Sequence, residues 1–412
     1  MAKTAKLWTA LGVAVLAGSV TSHATPLSSN TPINTVQIIL VDGEGGEGSG
    51  DAAPTTYAIG STDSGAFAYD GKPQVAAYAN LVHASYAEAK SEVAKLETAI
   101  ASLLASPTVD SLAAARKAWV SARPAYLRTE TFRFYDGPIE AVEGEINAWP
   151  MNEAFIDYVE GKPDAGIINS KAVLDGASLT AANQKTDEAD VTTGWHAIEF
   201  LLWGQDLSLD GPGNRPHTDY IAGQGNNDRR RDYLKLVTAK LASDLGTLET
   251  AWAPATGGNY RETFEKLEQR EALGRIINGM AILAGFEFMS ERLAVALDSG
   301  DQEDEHSCFS DTTKQDFVHD LEGIKRVWFL TGLGELVASR DEALAKRVSD
   351  LFMDAEVKVN KLGDPWDKVL ASLKDSSGRK DAEAVVAALQ SLGDGLKDAG
   401  SKLGVLVLIP SS

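Results

Sequence analysis

The residues best placed to do chemistry sit in one short run, Gly194-Trp195-His196-Ala197-Ile198-Glu199-Phe200-Leu201-Leu202-Trp203-Gly204-Gln205-Asp206. Read as a helix, this run is apolar almost all round, which places it inside the protein. His196 and Glu199 stand three residues apart, so their side chains share one face with Cβ atoms about 5–6 Å apart. A carboxylate buried alone is costly, so Glu199 needs a cation, a donor or a proton. An imidazole nitrogen and a carboxylate oxygen one turn apart form a two-point platform for a metal ion. Helix-bundle metal sites complete such platforms with carboxylates from facing helices. The same two residues could instead satisfy each other as a His-Glu hydrogen bond in a core. Nitrogen and carboxylate ligands suit iron and zinc and do not by themselves name the metal.

Zinc peptidases of the His-Glu-x-x-His type place Glu beside the first histidine and a second histidine four residues on. Here Ala197 and Phe200 occupy those positions, and Phe200 also breaks the inverted His-x-x-Glu-His pattern. A catalytic zinc needs three protein ligands and an open position, so the missing ligand would have to come from elsewhere in the chain. Glu130 is the expected third ligand: it lies at the end of a helix, flanked by Tyr126, Phe132 and Phe134, where an antiparallel neighbour would present it to His196 and Glu199. Arg123 and Arg133 are the alternative partners, which would make Glu130 part of an ion-paired network.

His306, Asp311 and Cys308 are secondary candidates. His306 follows Asp301, Glu303, Asp304 and Glu305, so it would mark a metal entrance or a second ligand set, or else lie on the surface. Asp311 reads as a capping residue with Ser310 and Thr313, and Thr313 with Asp316 resembles a capping box. Cys308, beside Phe309, reads as an inert buried thiol more readily than as a soft ligand. His217 belongs to a polar loop, and His83 and His319 lie on helices with no partner evident. There is no Gly-x-Ser-x-Gly elbow, phosphate loop or dinucleotide fingerprint. A single cysteine excludes Cys-x-x-Cys-His haem attachment and four-cysteine iron-sulfur clusters.

The elements that must carry these residues are helices. Apolar residues recur at three- and four-residue steps over 76–104, 111–131, 190–203, 228–252, 260–297, 340–361 and 380–403. Gly274, Gly279 and Gly285 in the longest of these allow close helix packing or a bend. Strand signals are few, apart from residues 36–41 with no partner evident, so the expected class is all-α. Tyr78, Leu81, Val82 and Ala84 match Tyr233, Leu236, Val237 and Ala239 at one constant offset. This weak repeat suggests two bundles of similar design, an N-terminal one over 71–225 carrying the His-x-x-Glu motif and a C-terminal one over 226–412.

The N-terminus reads as a secretory signal over 1–24: Lys3 and Lys6, an apolar stretch over 7–20, then Ser22-His23-Ala24. Residues 25–70 contain no Lys or Arg, and with Asp42-Gly43-Glu44-Gly45-Gly46-Glu47-Gly48 they read as a flexible acidic linker. The 412 residues carry 38 Lys and Arg against 59 Asp and Glu, a net charge of −21. That surplus opposes binding to nucleic acid or anionic lipid and suits a protein that meets cations. In so acidic a chain Arg229-Arg230-Arg231 reads as a salt-bridging face.

The motif Gly-x-His-Ala-Ile-Glu-Phe-Leu-Leu-Trp-Gly resembles the signature of the imelysin family. Three further pieces resemble it as well: Tyr126-x-x-x-Glu130-x-Phe132-Arg133-Phe134-x-Asp136-Gly137-Pro138, Asn147-Ala148-Trp149-Pro150 with Glu153-Ala154-Phe155-Ile156-Asp157, and Glu305-His306-Ser307-Cys308-Phe309-Ser310-Asp311. The resemblance implies two four-helix bundles, periplasmic or outer-membrane-associated residence, a link to iron, and an iron-uptake component as partner. It also carries a peptidase activity in the family's name. The leading expectation is therefore an exported protein that binds a transition metal, iron before zinc, through His196, Glu199 and Glu130 for acquisition or sensing. A metallopeptidase and a polysaccharide- or protein-binding module with a structural His-Glu pair are the alternatives.

Overall fold

The helices follow the periodicity of the sequence. The computed structural model describes residues 67–254 and 257–410, together with two short strands, Ile38–Leu40 and Tyr57–Ile59. The expected signal segment and the acidic run at 42–48 lie outside the described residues. We number the α-helices of ten residues or more: α1 Lys72–Ala105, α2 Val109–Leu127, α3 Gly194–Trp203, α4 Asn227–Ala251, α5 Gln269–Ile282, α6 Thr313–Leu330, α7 Glu342–Lys361 and α8 Ser377–Lys402. The class is all-α. In α1 the buried residues Val75, Tyr78, Val82, Tyr86, Ala89, Val93, Leu96, Ile100 and Leu103 recur at three- to four-residue steps, the stripe an amphipathic helix presents to a core. A reciprocal capping box between Thr108 and Ser111 starts α2.

α1, α2, α3 and α4 pack as one group and α5, α6, α7 and α8 as another, with α6 also lying on α2 and α5 on α1. The expected boundary at residue 225 differs from this arrangement, because α4 lies along α1 and α3 and so joins the helices before it. The two segments of the weak repeat therefore belong to neighbouring helices of one group. Tyr78 and Tyr233 are both buried there.

The single helix expected over 260–297 is divided. Tyr260–Glu265 stands apart, and α5 runs on through a π-helical stretch, Leu283–Ala294, into Val295–Ser299. Gly285 in that stretch meets Gly393 of α8 almost backbone to backbone, the close packing its lack of a side chain allows. The strand expected within 36–41 is paired: Ile38–Leu40 and Tyr57–Ile59 run antiparallel, and Val405–Leu406 adds to the far edge. Part of the span expected to be linker thus belongs to a small sheet. Among the described residues no helix is long and apolar enough to cross a membrane.

Candidate functional site at the junction of the helix groups

α3 is buried over its whole length, His196 and Glu199 included. It starts at Gly194 rather than at 190, and the reason is steric. Gly194 has φ +88°, and a Cβ there would run into the Ile146 carbonyl, so only glycine lets the chain turn into the helix so close to its neighbour. The i, i+3 spacing acts as expected: His196 Nδ1 lies 2.9 Å from Glu199 Oε2. The other carboxylate oxygen, Oε1, accepts from the Ser310 amide at 2.9 Å and the Ser310 hydroxyl at 2.6 Å. Burial pushes the Glu199 carboxyl up to about 8, against the pull of the Ser310 donors.

The second imidazole nitrogen faces a cation that belongs to the protein. Arg123 of α2 places Nη2 3.3 Å from His196 Nε2 and 3.0 Å from Asp316 Oδ2 of α6. Its Nη1 donates to Asn147 Oδ1 at 2.6 Å. A guanidinium has only donors, so Nε2 accepts and the ring proton resides on Nδ1, directed at Glu199. Asp316 Oδ2 also accepts from the Ser307 hydroxyl at 2.7 Å. His306 Nδ1 lies 2.8 Å from the same oxygen, off the line a hydrogen bond needs. Burial, with Arg123 close by, holds His196 well below the usual histidine range, and burial brings His306 down to about 4, so both rings are neutral at pH 7. The Arg123 guanidinium holds the Asp316 carboxyl well below the carboxylate range despite its burial. The imidazole rings of His196 and His306 meet edge to face, 5.1 Å between centroids, and Trp149 covers His196 at 4.8 Å.

Glu130 does not complete this platform. It sits in the short turn Glu130–Phe132 after α2, nearly fully buried, and its Oε2 is held by Arg133 at 2.8 Å and by Arg292. Arg292 also reaches Asp320 Oδ2 at 2.9 Å and Glu287 at 3.1 Å. The two arginines keep Glu130 ionised, far below the usual range despite its burial. Arg292 and Glu287 come from the π-helical stretch, whose wider turn departs from the 3.6-residue pattern. The expected ion-paired alternative for Glu130 thus holds for Arg133, while Arg123 serves Asp316.

The remaining candidates divide. His306 is buried beside Asp316 and is not a surface residue. Thr313 and Asp316 make no capping box: α6 has no side-chain cap, Thr313 Oγ1 accepts from the Ser307 amide at 3.0 Å, and Asp316 is paired with Arg123. Asp311 ends the turn Cys308–Ser310 and brings its carboxylate close to those of Asp206 and Asp367. Cys308 is buried, and burial pushes its thiol well above the ordinary range, so it is inert. His319 has a partner after all, Glu322 at 2.8 Å. Of the arginine run, Arg230 is ion-paired to the buried Asp157 at 2.6 Å, while Arg229 and Arg231 hold backbone carbonyls.

The residues that sequence reasoning missed are Asp316, Ser310, Ser307, Asn147 and Arg292. Arg292 gave no local signal, since Ser290 and Glu291 beside it make the run Phe288-Met289-Ser290-Glu291-Arg292-Leu293 read as an ordinary mixed helix face. As a seat for a metal the His196-Glu199 pair is already filled: both imidazole nitrogens and both carboxylate oxygens are engaged by the protein's own groups. The guanidinium of Arg123 stands between His196 and Asp316 where an added cation would have to go. A resident metal does not fit this arrangement.

Comparison with known proteins agrees with the four motifs. The Peptidase_M75 (Imelysin) family model matches residues 82–395. Iron-regulated protein A of Synechococcus elongatus is 22% identical over 321 residues, 74% of this chain and 79% of that protein. The fold is shared with a crystal structure described as an iron-regulated protein A precursor from Parabacteroides distasonis, at TM-score 0.66 and 18% identity over 81% of this chain and 95% of that one. It is shared also with an imelysin-like protein from Psychrobacter arcticus, at TM-score 0.62 and 14% identity over 83% and 98%. With a family match over most of its length and the His-x-x-Glu motif at the junction of its helix groups, the chain belongs to the imelysin family.

Proposed function

We propose that this chain is an exported protein of iron handling that holds and presents a metal ion, and that its His-x-x-Glu motif locks the two helix groups together. Family membership, the iron-regulated relative and the acidic surplus support the metal-handling part. The basic start, apolar stretch and small-x-small site support export to the periplasm or the outer membrane, where an uptake component would be the partner. The observation that carries the lock is Arg123 Nη2, set between His196 Nε2 and Asp316 Oδ2. It supplies the positive charge that the His-Glu-Asp arrangement needs, from within the chain, and it ties α2, α3 and α6 in one contact. A peptidase centre would need an open metal position in contact with water, whereas His196 and Glu199 are both fully buried.

The test is metal retention and proteolysis measured together. Wild type and His196→Ala are loaded with ferric citrate, dialysed and assayed by elemental mass spectrometry, with circular dichroism to confirm folding and casein as substrate. The expected result is iron retained by both proteins and no chelator-sensitive turnover. Loss of the iron in folded His196→Ala, or turnover abolished by a chelator, would contradict the reading.

A further inference from the structure

Beside the lock lies a group of acids with no cation of its own. Asp206, Asp311 and Asp367 each turn one oxygen toward a common point, and the three oxygens lie within 4.8 Å of one another. They arrive from separate parts of the chain: Asp206 follows α3, Asp311 ends the turn Cys308–Ser310, and Asp367 belongs to the short helix Trp366–Leu370. Asp367 is 1% exposed, and neither of its oxygens receives a hydrogen bond. Asp206 is 7% exposed, with Oδ1 taken by the Ser208 amide at 2.9 Å and Oδ2 unpartnered. Glu305, fully buried next to Asp367, leaves both of its oxygens unpartnered as well. Among the described residues no lysine or arginine is ion-paired with any of the four, and Lys368 turns away to Asp210 at 3.3 Å.

We propose that Asp206, Asp311 and Asp367 form a binding site for a hard, oxygen-preferring multivalent cation. The spacing suits one: bonds of about 2.3–2.6 Å put ligands on opposite sides of such an ion roughly 4.6–5.2 Å apart. An all-oxygen donor set selects hard ions over those that favour nitrogen or sulfur. Glu305 is the adjacent fourth carboxylate. A buried carboxylate group without counter-charge is strongly disfavoured, and a multivalent cation would neutralise the three aspartates together. Asp206 also lines a surface cleft of about 430 Å³ together with Tyr158, Trp203, Gln205 and Arg215. Calcium and ferric iron share the required chemistry. The site gives the metal of the proposed function a seat away from His196, and it rests on that reading for the use of the ion, not for the seat itself.

The full chain, stripped with EDTA, is titrated in separate arms with Ca²⁺, ferric citrate and Zn²⁺. Melting temperature and metal retained after dialysis are the readouts for wild type, Asp367→Asn, Asp311→Asn and His196→Ala. Asp311 is only part-buried, so its variant keeps the test valid where Asp367→Asn fails to fold. The expected result is about one equivalent of calcium or ferric iron, with a higher melting temperature, in wild type and His196→Ala and in neither Asp variant. Binding of calcium alone through these acids upholds the site and ends its use for iron. Zinc retained alone, or an ion lost in His196→Ala and kept in Asp367→Asn, overturns the site. So does the absence of any retained ion and any thermal shift in wild type, which would mean that the acids share protons.

Discussion

Two polar regions lie side by side in this protein and are neutralised in opposite ways. Around His196 and Glu199 the chain brings its own cations, Arg123 to Asp316 and Arg292 with Arg133 to Glu130. Around Asp206, Asp311 and Asp367 it brings none among the described residues. One stretch of chain feeds both: Ser307 and Ser310 serve the lock, while Glu305 and Asp311 face the acid group. The lesson is that a metal-like motif and a metal seat need not coincide. A buried charge with a fixed internal partner is complete, and an ion from solution is drawn to acids left without one.

The largest effect that could break this contrast comes from exchanging charges on the two sides. Arg123→Met leaves Asp316 buried and unpaired, so it should lower unfolding stability by about 3–5 kcal/mol. Asp367→Asn instead removes one of several crowded negative charges, so the metal-free variant should melt no lower than wild type. Chemical denaturation of both in EDTA checks the pair of signs. Equal destabilisation by the two variants would erase the distinction between the regions.

A smaller effect sharpens the lock side alone. Glu199 rises to about 8 in the folded protein, from an ordinary value near ~4.3. The folded state therefore holds the proton more tightly. The stabilisation is whole below pH ~4.3 and is lost as the pH rises through about 8. Glu199 is faced by His196 on its own helix, Ser310 on the adjoining turn, and Arg123 and Asp316 beyond them. Glu199→Gln should make the fall in melting temperature between pH 6 and pH 9 shallower, while the share from Asp320, also raised to about 8, remains in both proteins. An unchanged slope would show that Glu199 is ionised throughout. Glu130 and Asp316 act at the other end: both are held low, so their stabilisation is present above pH ~4 and lost as the pH falls.

Much of the fold was legible because one helix has one period. The apolar stripes gave α1, α7 and α8 to within a few residues, and the all-round apolar run at 194–203 announced a buried helix with two polar residues that had to meet. The partners of those residues were not legible. Arg123 and Asp316 are 193 positions apart, and no local pattern says which of several arginines will face which acid. Glu130 was expected as a third ligand, with ion pairing to Arg123 or Arg133 as the alternative; it is paired with Arg133, and Arg292 reaches it from a π-helical stretch whose register the 3.6-residue pattern misplaces. The acid group shows the same limit. Asp206, Glu305 and Asp311 all stood within recognisable motifs, yet Asp367 carried no signal, and only tertiary packing brings the four together.

The most direct test is to see where a cation goes. Crystals of the full chain grown with Tb³⁺, an oxygen-seeking ion with a strong anomalous signal, would locate it by an anomalous difference map. The expected result is a peak among Asp206, Asp311 and Asp367, with Arg123 still between His196 and Asp316. A peak at His196 and Glu199, with Arg123 swung aside, would contradict it.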